Sequence, residues 1–379
     1  MNKLKKGLLL SILLSSTTYG YQEVYEFHNI RQKAMGGTHV STAKNSTTFY
    51  QNPAYLQLEK KFKISIPKIA VGFNTDIINN LDDINTLSSS TEDISKQIEV
   101  LKSLVPLKGA FSGNIQPVLT FTKKGFGLTT TVESKVGFDL KQKTAPKLQA
   151  EGSINTNYQL GFGHTINYLD KEIHIGVSTK YISRSILYDA ENGNNIFELD
   201  QVEIIKAFNG LSEFEADSYT IKGFGVDLGT LYQYETKYGN AMAGITVKNI
   251  LSSLSGSQNI TTGNTTESYD VNTKDNLVVS IGNNIIYKIP YLGKLEIATD
   301  YNLIAPTQSF FKRIHLGAEK KVTPILSLRG GINQGFIVGG FGINLFLIKI
   351  DYAYFAEEFS GSLGKNVVES HNIQLGMLF

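Results

Sequence analysis

The sequence predicts an all-β fold, an antiparallel transmembrane β-barrel of about 14 strands, and three observations carry that reading. The last fourteen residues, 366–379, alternate apolar and polar up to a C-terminal phenylalanine: Ile373, Leu375, Met377 and Phe379 fall on one side of an extended strand, Asn372, Gln374 and Gly376 on the other. A greasy outer face and a polar inner face suit a wall with lipid outside and a wet lumen inside. Similar alternating segments recur along the chain, and the links between them alternate long and short. The N-terminus, finally, reads as an export signal.

That signal has Lys3, Lys5 and Lys6 as its charged region, 7–14 as its apolar core and Thr18-Tyr19-Gly20 as its small-residue exit, so the mature chain is expected to begin near Tyr21. The apolar core is too short to span a bilayer as a helix. With no cysteine in the chain, a lipoprotein signal, a disulfide framework, a thiolate metal site and a thiol nucleophile are all excluded. Removing residues 1–20 takes away three lysines and no acid, which moves the formal charge from +2 to −1 and argues against a nucleic-acid binder. A mean hydropathy of −0.10, 35 glycines, 19 tyrosines and 21 phenylalanines without one tryptophan are unusual for a helical membrane protein. No later segment reaches the roughly 18 apolar residues of a membrane helix.

The predicted strands, in order, are 62–73, 115–122, 125–140, 150–168, 172–188, 218–234, 238–249, 275–288, 294–303, 312–321, 325–332, 336–344, 347–356 and 367–379. An even number lets both ends of an antiparallel barrel lie on the periplasmic side. Even-numbered links are short (123–124, 169–171, 235–237, 289–293, 322–324), and the odd ones are mostly long (74–114, 141–149, 189–217, 250–274, 304–311, 357–366). Short periplasmic turns and long outer loops are the asymmetry of such barrels. The odd link 333–335 is short and breaks the pattern.

Two outer links have helical spacing. In 76–105, apolar residues recur at Ile77, Leu81, Ile84 and Leu87, then at Ile94, Ile98, Leu101 and Val105; Ser90 with Asp93 makes a capping pair and Pro106 a stop. A second candidate covers 199–208. Such helices either cap the barrel mouth or form a first landing site for a hydrophobic ligand, and spacing alone leaves both open.

Between the signal and the first strand, residues 21–61 are expected to form a lumenal hatch, leaving 62–379 as the barrel with 74–114 as a helical outer-loop insert. The segment contains Arg31, Met35-Gly36-Gly37 and, further on, Asn52-Pro53-Ala54-Tyr55-Leu56. Asn52 is suited to a helix N-cap and Pro53 to the first helical position. The two glycines permit a tight turn or close backbone packing. The order Met-Gly-Gly, a polar stretch, then Asn-Pro-Ala resembles the N-terminal hatch of FadL-like outer-membrane proteins, a superfamily of hydrocarbon and fatty-acid transporters and PorV-type secretion partners. Within it the chain looks most like the TraF plasmid-transfer family, on the acidic insert 80–84 and on Gly225-Val226-Asp227-Leu228-Gly229-Thr230-Leu231-Tyr232. Tyr55 stands where that superfamily's hatch usually has glycine. The TraF name also covers an unrelated thioredoxin-like protein, whose chemistry a chain without Cys-x-x-Cys cannot perform.

Alternation places Asp227, Glu296, Asp300, Glu319, Arg329, Lys349 and Asp351 on polar strand faces. There they either pair across strands within a wet lumen or form a selectivity filter or headgroup site. In the latter case Arg329 and Lys349 are the natural partners of a carboxylate. A hydrolase needs nucleophile, base and orienting group together, yet the six histidines are scattered, and Ser370 and His371 point to opposite faces of one strand. No enzyme, metal or cofactor is expected. The expected surroundings are the outer-membrane bilayer and the barrel assembly machinery, with Phe379 as assembly signal. Function then lies between passage of small hydrophobic molecules and a platform for secretion or conjugal-transfer proteins, as the resemblance implies. An apolar-lined lumen favours the first; a lumen filled by hatch and charge favours the second.

Overall fold

The computed structural model describes residues 29–43, 46–58, 61–89, 94–191, 193–208, 217–262, 264–289, 293–306, 308–358 and 367–377. The export signal, the Ser90–Asp93 capping pair and Phe379 lie outside the described residues. A short helix α1 (Ile30–Lys33) precedes the first strand pieces, β1 (Lys63–Ser65) and β2 (Lys68–Asn74). The first outer link carries α2 (Thr75–Asn79), α3 (Leu81–Ser89) and α4 (Ile94–Ser103). After it come β3 (Leu107–Lys123), β4 (Phe126–Lys141), β5 (Lys147–Tyr168), β6 (Lys171–Tyr188) and the short β7 (Phe197–Leu199). Helix α5 (Gln201–Phe208) leads to β8 (Asp217–Thr236), β9 (Gly239–Lys248), β10 (Ser253–Thr262) and β11 (Thr265–Thr273). The chain finishes with β12 (Val278–Ile289), β13 (Gly293–Ile304), β14 (Ile314–Lys321), β15 (Leu326–Asn333), β16 (Phe336–Leu345), β17 (Ile348–Glu358) and β18 (Val367–Met377).

Fourteen strands form a closed antiparallel wall, with β1 and β2 as two pieces of the first. Closure is made by β18 on β2, from Ser370 opposite Asn74 to Gly376 opposite Lys68. Alternation sets the faces: Ile373 and Leu375 are 46 % and 53 % exposed outward, whereas Asn372 and Gln374 are 1 % and 4 % exposed inward. The outward row on β2, Ile69, Val71 and Phe73, continues that apolar surface, which lipid solvates better than water does.

Several links are two-residue turns with both residues left-handed: Lys124-Gly125, Leu169-Asp170 and, on the outer side, Gln334-Gly335. That turn matches the twist of the strands it joins. The short outer link is therefore a hairpin like those below.

The wall is interrupted at one height. β1 ends with Ser65 opposite Thr120, and β2 begins its pairing at Ile69 opposite Ile115, so residues 116–119 of β3 have no registered partner on that side. On the other side the register jumps from Ile115 opposite Val132 to Leu119 opposite Thr130, a bulge in which 116–118 face one residue. The cause is in the sequence: Pro67 and Pro117 lie at the break, and neither can donate to a ladder. The expected strands 62–73 and 115–122 pass over this break.

Three further expectations are corrected. β3 starts at Leu107, inside the expected insert 74–114, because the helices end at Ser103 and Leu107 already pairs with Leu140 of β4. Loop 250–274 contains the β10–β11 hairpin, whose β10 pairs with the upper half of β8 from Ser253 opposite Phe224. Its residues are mainly polar on both faces, so no apolar alternation announced it. The helical region 76–105 is broken into three helices. Helices α3, α4 and α5 pack with the tops of the neighbouring strands through Leu87, Leu101, Leu104, Ile204, Leu107, Leu140 and Leu199, while Ile78, Leu81 and Ile94 stay exposed.

Ile373→Arg places a charge on the lipid face beside the closing seam, at a cost of about 2–4 kcal/mol near the bilayer midplane. We expect a lower urea midpoint for folding into lipid vesicles, read by heat-dependent gel mobility; an unchanged midpoint would remove lipid from that face.

Candidate functional site: the lumen and the N-terminal segment

Residues 29–43 and 46–58 lie within the barrel against inward-facing side chains. Asn29 caps α1 reciprocally with Gln32: its Oδ1 accepts from Gln32 N at 3.0 Å and its own N–H donates to Gln32 Oε1 at 3.3 Å. Gly36 and Gly37 then turn the chain at φ +69° and +82°, a region L side chains rarely adopt. A Cβ on Gly36 would overlap Leu316 O and Ile332 O of the wall. The wall answers in kind, since a Cβ on Gly317 would overlap Met35 O, and one on Gly331 would lie 2.6 Å from Gly36 N. Met35, fully buried, sits in the space these glycines leave.

Charge holds the same region. Arg31 reaches two acids on neighbouring strands, Nε to Glu319 Oε2 at 2.7 Å and Nη2 to Glu296 Oε2 at 2.9 Å, and donates from Nη1 to Thr42 O at 2.9 Å. Glu319 Oε2 also accepts from Arg329 Nε at 2.7 Å, Arg329 Nη1 meets Asp351 Oδ1 at 2.7 Å, and Lys349 Nζ meets Asp351 Oδ2 at 2.8 Å. The result is a ladder of alternating charge from β13 to β17. Between Arg329 and Asp351, β16 contributes Gly342, whose Cβ would crowd both side chains. Burial alone would lower the Arg31 guanidinium pKa, but Glu296 and Glu319 outweigh it and hold the value above its ordinary one.

A second set of contacts fastens the middle of the segment. Asp300 accepts from the backbone N–H of His39 at 2.5 Å and of Val40 at 2.9 Å, and the Tyr55 hydroxyl donates to His39 O. Burial, with Asp300 nearby, pushes the Tyr55 phenol well above its usual pKa and keeps it a neutral donor. Asn52 Oδ1 accepts from Ala54 N at 3.0 Å, capping the 3-10 turn Pro53–Gln57. Its Nδ2 donates to Val40 O at 2.9 Å and to Thr230 O of β8 at 3.3 Å. Pro53 and Ala54 lie against Gly176 of β6.

Six of the seven inward charges singled out from the sequence thus meet the segment or one another. Asp227 stands apart, held by Lys180 Nζ at 3.0 Å to both oxygens and by Asn249 N at 2.8 Å. Arg329 and Lys349, the expected carboxylate partners, are engaged by Glu319 and Asp351. Sequence reasoning missed Lys180, His39 and Asn284, whose Nδ2 donates to Glu296 Oε1 at 3.0 Å; nothing in their spacing marks them. Two cavities of about 620 Å³ each lie between the segment and the short-turn end of the barrel, one bounded by Tyr50, Lys68 and Gln116, the other by Tyr234, Met242 and Lys294.

No family model matches the chain, and no curated protein matches it. Among solved structures, the chain is similar to the CymD monoaromatic hydrocarbon channel, at 12 % identity over 96 % of this chain and 99 % of that one, with a TM-score of 0.48. It is also similar to the Pseudomonas putida toluene transporter TodX (10 % identity, 94 % and 98 % covered, TM-score 0.44). The translocator domain of the autotransporter NalP from Neisseria meningitidis matches at 10 % identity, 85 % and 89 % covered, with a TM-score of 0.33. No score here reaches 0.5, too little to carry residue roles or cargo from those proteins to this chain.

Arg31→Ala leaves Glu296 and Glu319 facing each other without their shared cation, and should weaken docking of the segment by about 3–5 kcal/mol. Gly317→Val should displace Met35 by overlap. For both variants, hydrogen exchange at residues 34–40 should accelerate while the wall strands keep their protection. Equal protection in variant and wild type would show that these contacts do not hold the segment.

Proposed function

We propose that the chain passes small molecules with a hydrophobic part across the outer membrane, and that residues 29–58 serve as its hatch. The observation that carries this reading is how the segment is held. Its described residues contribute no strand to the wall; they are fastened by side-chain ion pairs, hydrogen bonds, glycine contacts and two apolar clusters, Phe49, Tyr55 and Leu56 with Leu231 and Ile30 and Ala34 with Ala70 and Ala353, so the segment can move while all wall strands stay paired. Apolar surface is available at two places along a route: the exposed Ile78, Leu81 and Ile94 of the outer helices, and the interruption of the wall at Pro67 and Pro117. The polar lumen between them suits an amphiphilic cargo better than a wholly apolar one.

A platform reading has one observation in its favour, the ion ladder and segment that fill the lumen at mid-height. Secretion or conjugal-transfer partners are supported only by sequence resemblance, in the hatch residues for the first and in residues 80–84 and 225–232 for the second.

Deleting residues 22–56 should raise conductance in planar bilayers modestly and speed entry of the apolar dye 1-N-phenylnaphthylamine into cells. Unchanged conductance and dye entry, with the deleted barrel folded in the outer membrane, would favour the platform and sink the passage reading.

A further inference from the structure

We propose that the periplasmic cavity bounded by β18, β2 and β3 binds a small carboxylate that also carries an N–H or O–H donor, an amido- or hydroxycarboxylate. This goes beyond passage, because a sealed platform would hold the same site.

The wall register builds it. Lys349 faces Gly376 across β17 and β18, Gly376 faces Lys68 across β18 and β2, and the pairing of Ile69 with Ile115 puts Lys68 beside Gln116 on β3. One inward row therefore reads Lys349, Gly376, Lys68, Gln116. Gln374 stands in the row above, opposite Ala70. Gly376 leaves the row open at its centre; a Cβ there would sit 3.1 Å from Lys68 Cγ.

Two carboxamides in this cavity are buried without partners. Among the described residues, Gln116, 1 % exposed, has no hydrogen-bond partner at Nε2 or Oε1, and Gln374, 4 % exposed, has none at Nε2. Buried polar groups are normally satisfied, and an exception needs a cause. Both side chains line the cavity. Its charge points the same way: six cationic side chains line it against two acids, Glu319 and Asp351. Arg31, Arg329 and Lys349 belong to the ion ladder, whereas Lys68 and Lys321 have no ion pair among the described residues.

The ligand chemistry follows from the donors and acceptors. Lys68 and the two amide Nε2 groups donate, so they call for an anionic oxygen. Gln116 Oε1 only accepts, so the same ligand must bring a donor. A plain carboxylate satisfies the first requirement and fails the second. About 620 Å³ suffices for a small organic molecule, and Tyr50 and Ile66 in the lining can meet its apolar body.

The test uses the full chain in lipid nanodiscs and isothermal titration with N-benzoylglycine, with 3-benzoylpropanoate, in which CH₂ replaces the amide N–H, and with uncharged N-benzoylglycinamide. We expect N-benzoylglycine to bind about tenfold more tightly than either analogue, the size of one hydrogen bond or more. Gln116→Leu should bring the two carboxylates to equal affinity, while Lys68→Met weakens both and keeps the gap between them. If Gln116→Leu does not fold, Gln374→Leu should weaken both carboxylates together, and the wild-type comparison still decides. Equal affinity of wild type for the two carboxylates, no binding of N-benzoylglycine, or its displacement by equimolar inorganic phosphate would overturn the proposal. Conductance of the 22–56 deletion reports on passage separately, so the two readings can fail independently.

Discussion

Everything in this molecule depends on one constraint: in lipid, a backbone N–H or C=O has no partner except another part of the protein. Each unpaired group costs several kcal/mol there, roughly, and an open sheet would leave two edges of them. Closing β18 on β2 removes both edges. Once the wall is closed, the side-chain period of two divides every strand into a lipid face and a lumen face. Polar and charged residues then have one place to go, and that is inside.

The inside is consequently a dense polar environment, and the N-terminal segment is shaped to it. Its helix carries Arg31 to a pair of acids on β13 and β14, and the acid on β14 is shared with Arg329 of β15. Such a ladder is strong only while complete, since loss of one member leaves a buried charge facing its like. Glycines in the wall do the complementary work. Gly317 and Gly331 have no Cβ, so the backbone of Met35 and Gly36 rests directly on the strands. The seat is also apolar: Phe49, Tyr55 and Leu56 pack with Leu231 of β8, and Ile30 and Ala34 with Ala70 of β2 and Ala353 of β17.

The interruption at Pro67 and Pro117 is where the wall departs from its own rule. Two residues without N–H groups at one height prevent a continuous ladder, and Gln116, which alternation from Asn114 turns into the lumen beside Lys68, lies at the edge of that break. The proposed anion site therefore lies beside the place where the sheet opens.

Much of the wall was legible in the sequence, because alternation, turn residues and link lengths are local consequences of a strand with lipid on one side. Fourteen segments, their order and the inward direction of Glu296, Glu319, Arg329 and Asp351 follow from period and parity alone. The β10–β11 hairpin was not legible because it stands clear of lipid and has no reason to alternate. Nor was the identity of partners: period says that Arg329 and Lys349 face inward, but closure of the barrel and the register of β14 to β17 decide that acids already hold them. The sequence by itself determined the wall and the faces of its strands; the tertiary structure alone decided what meets in the lumen, because those contacts join residues up to hundreds of positions apart, as Arg31 joins Glu319, and only closure brings them within reach.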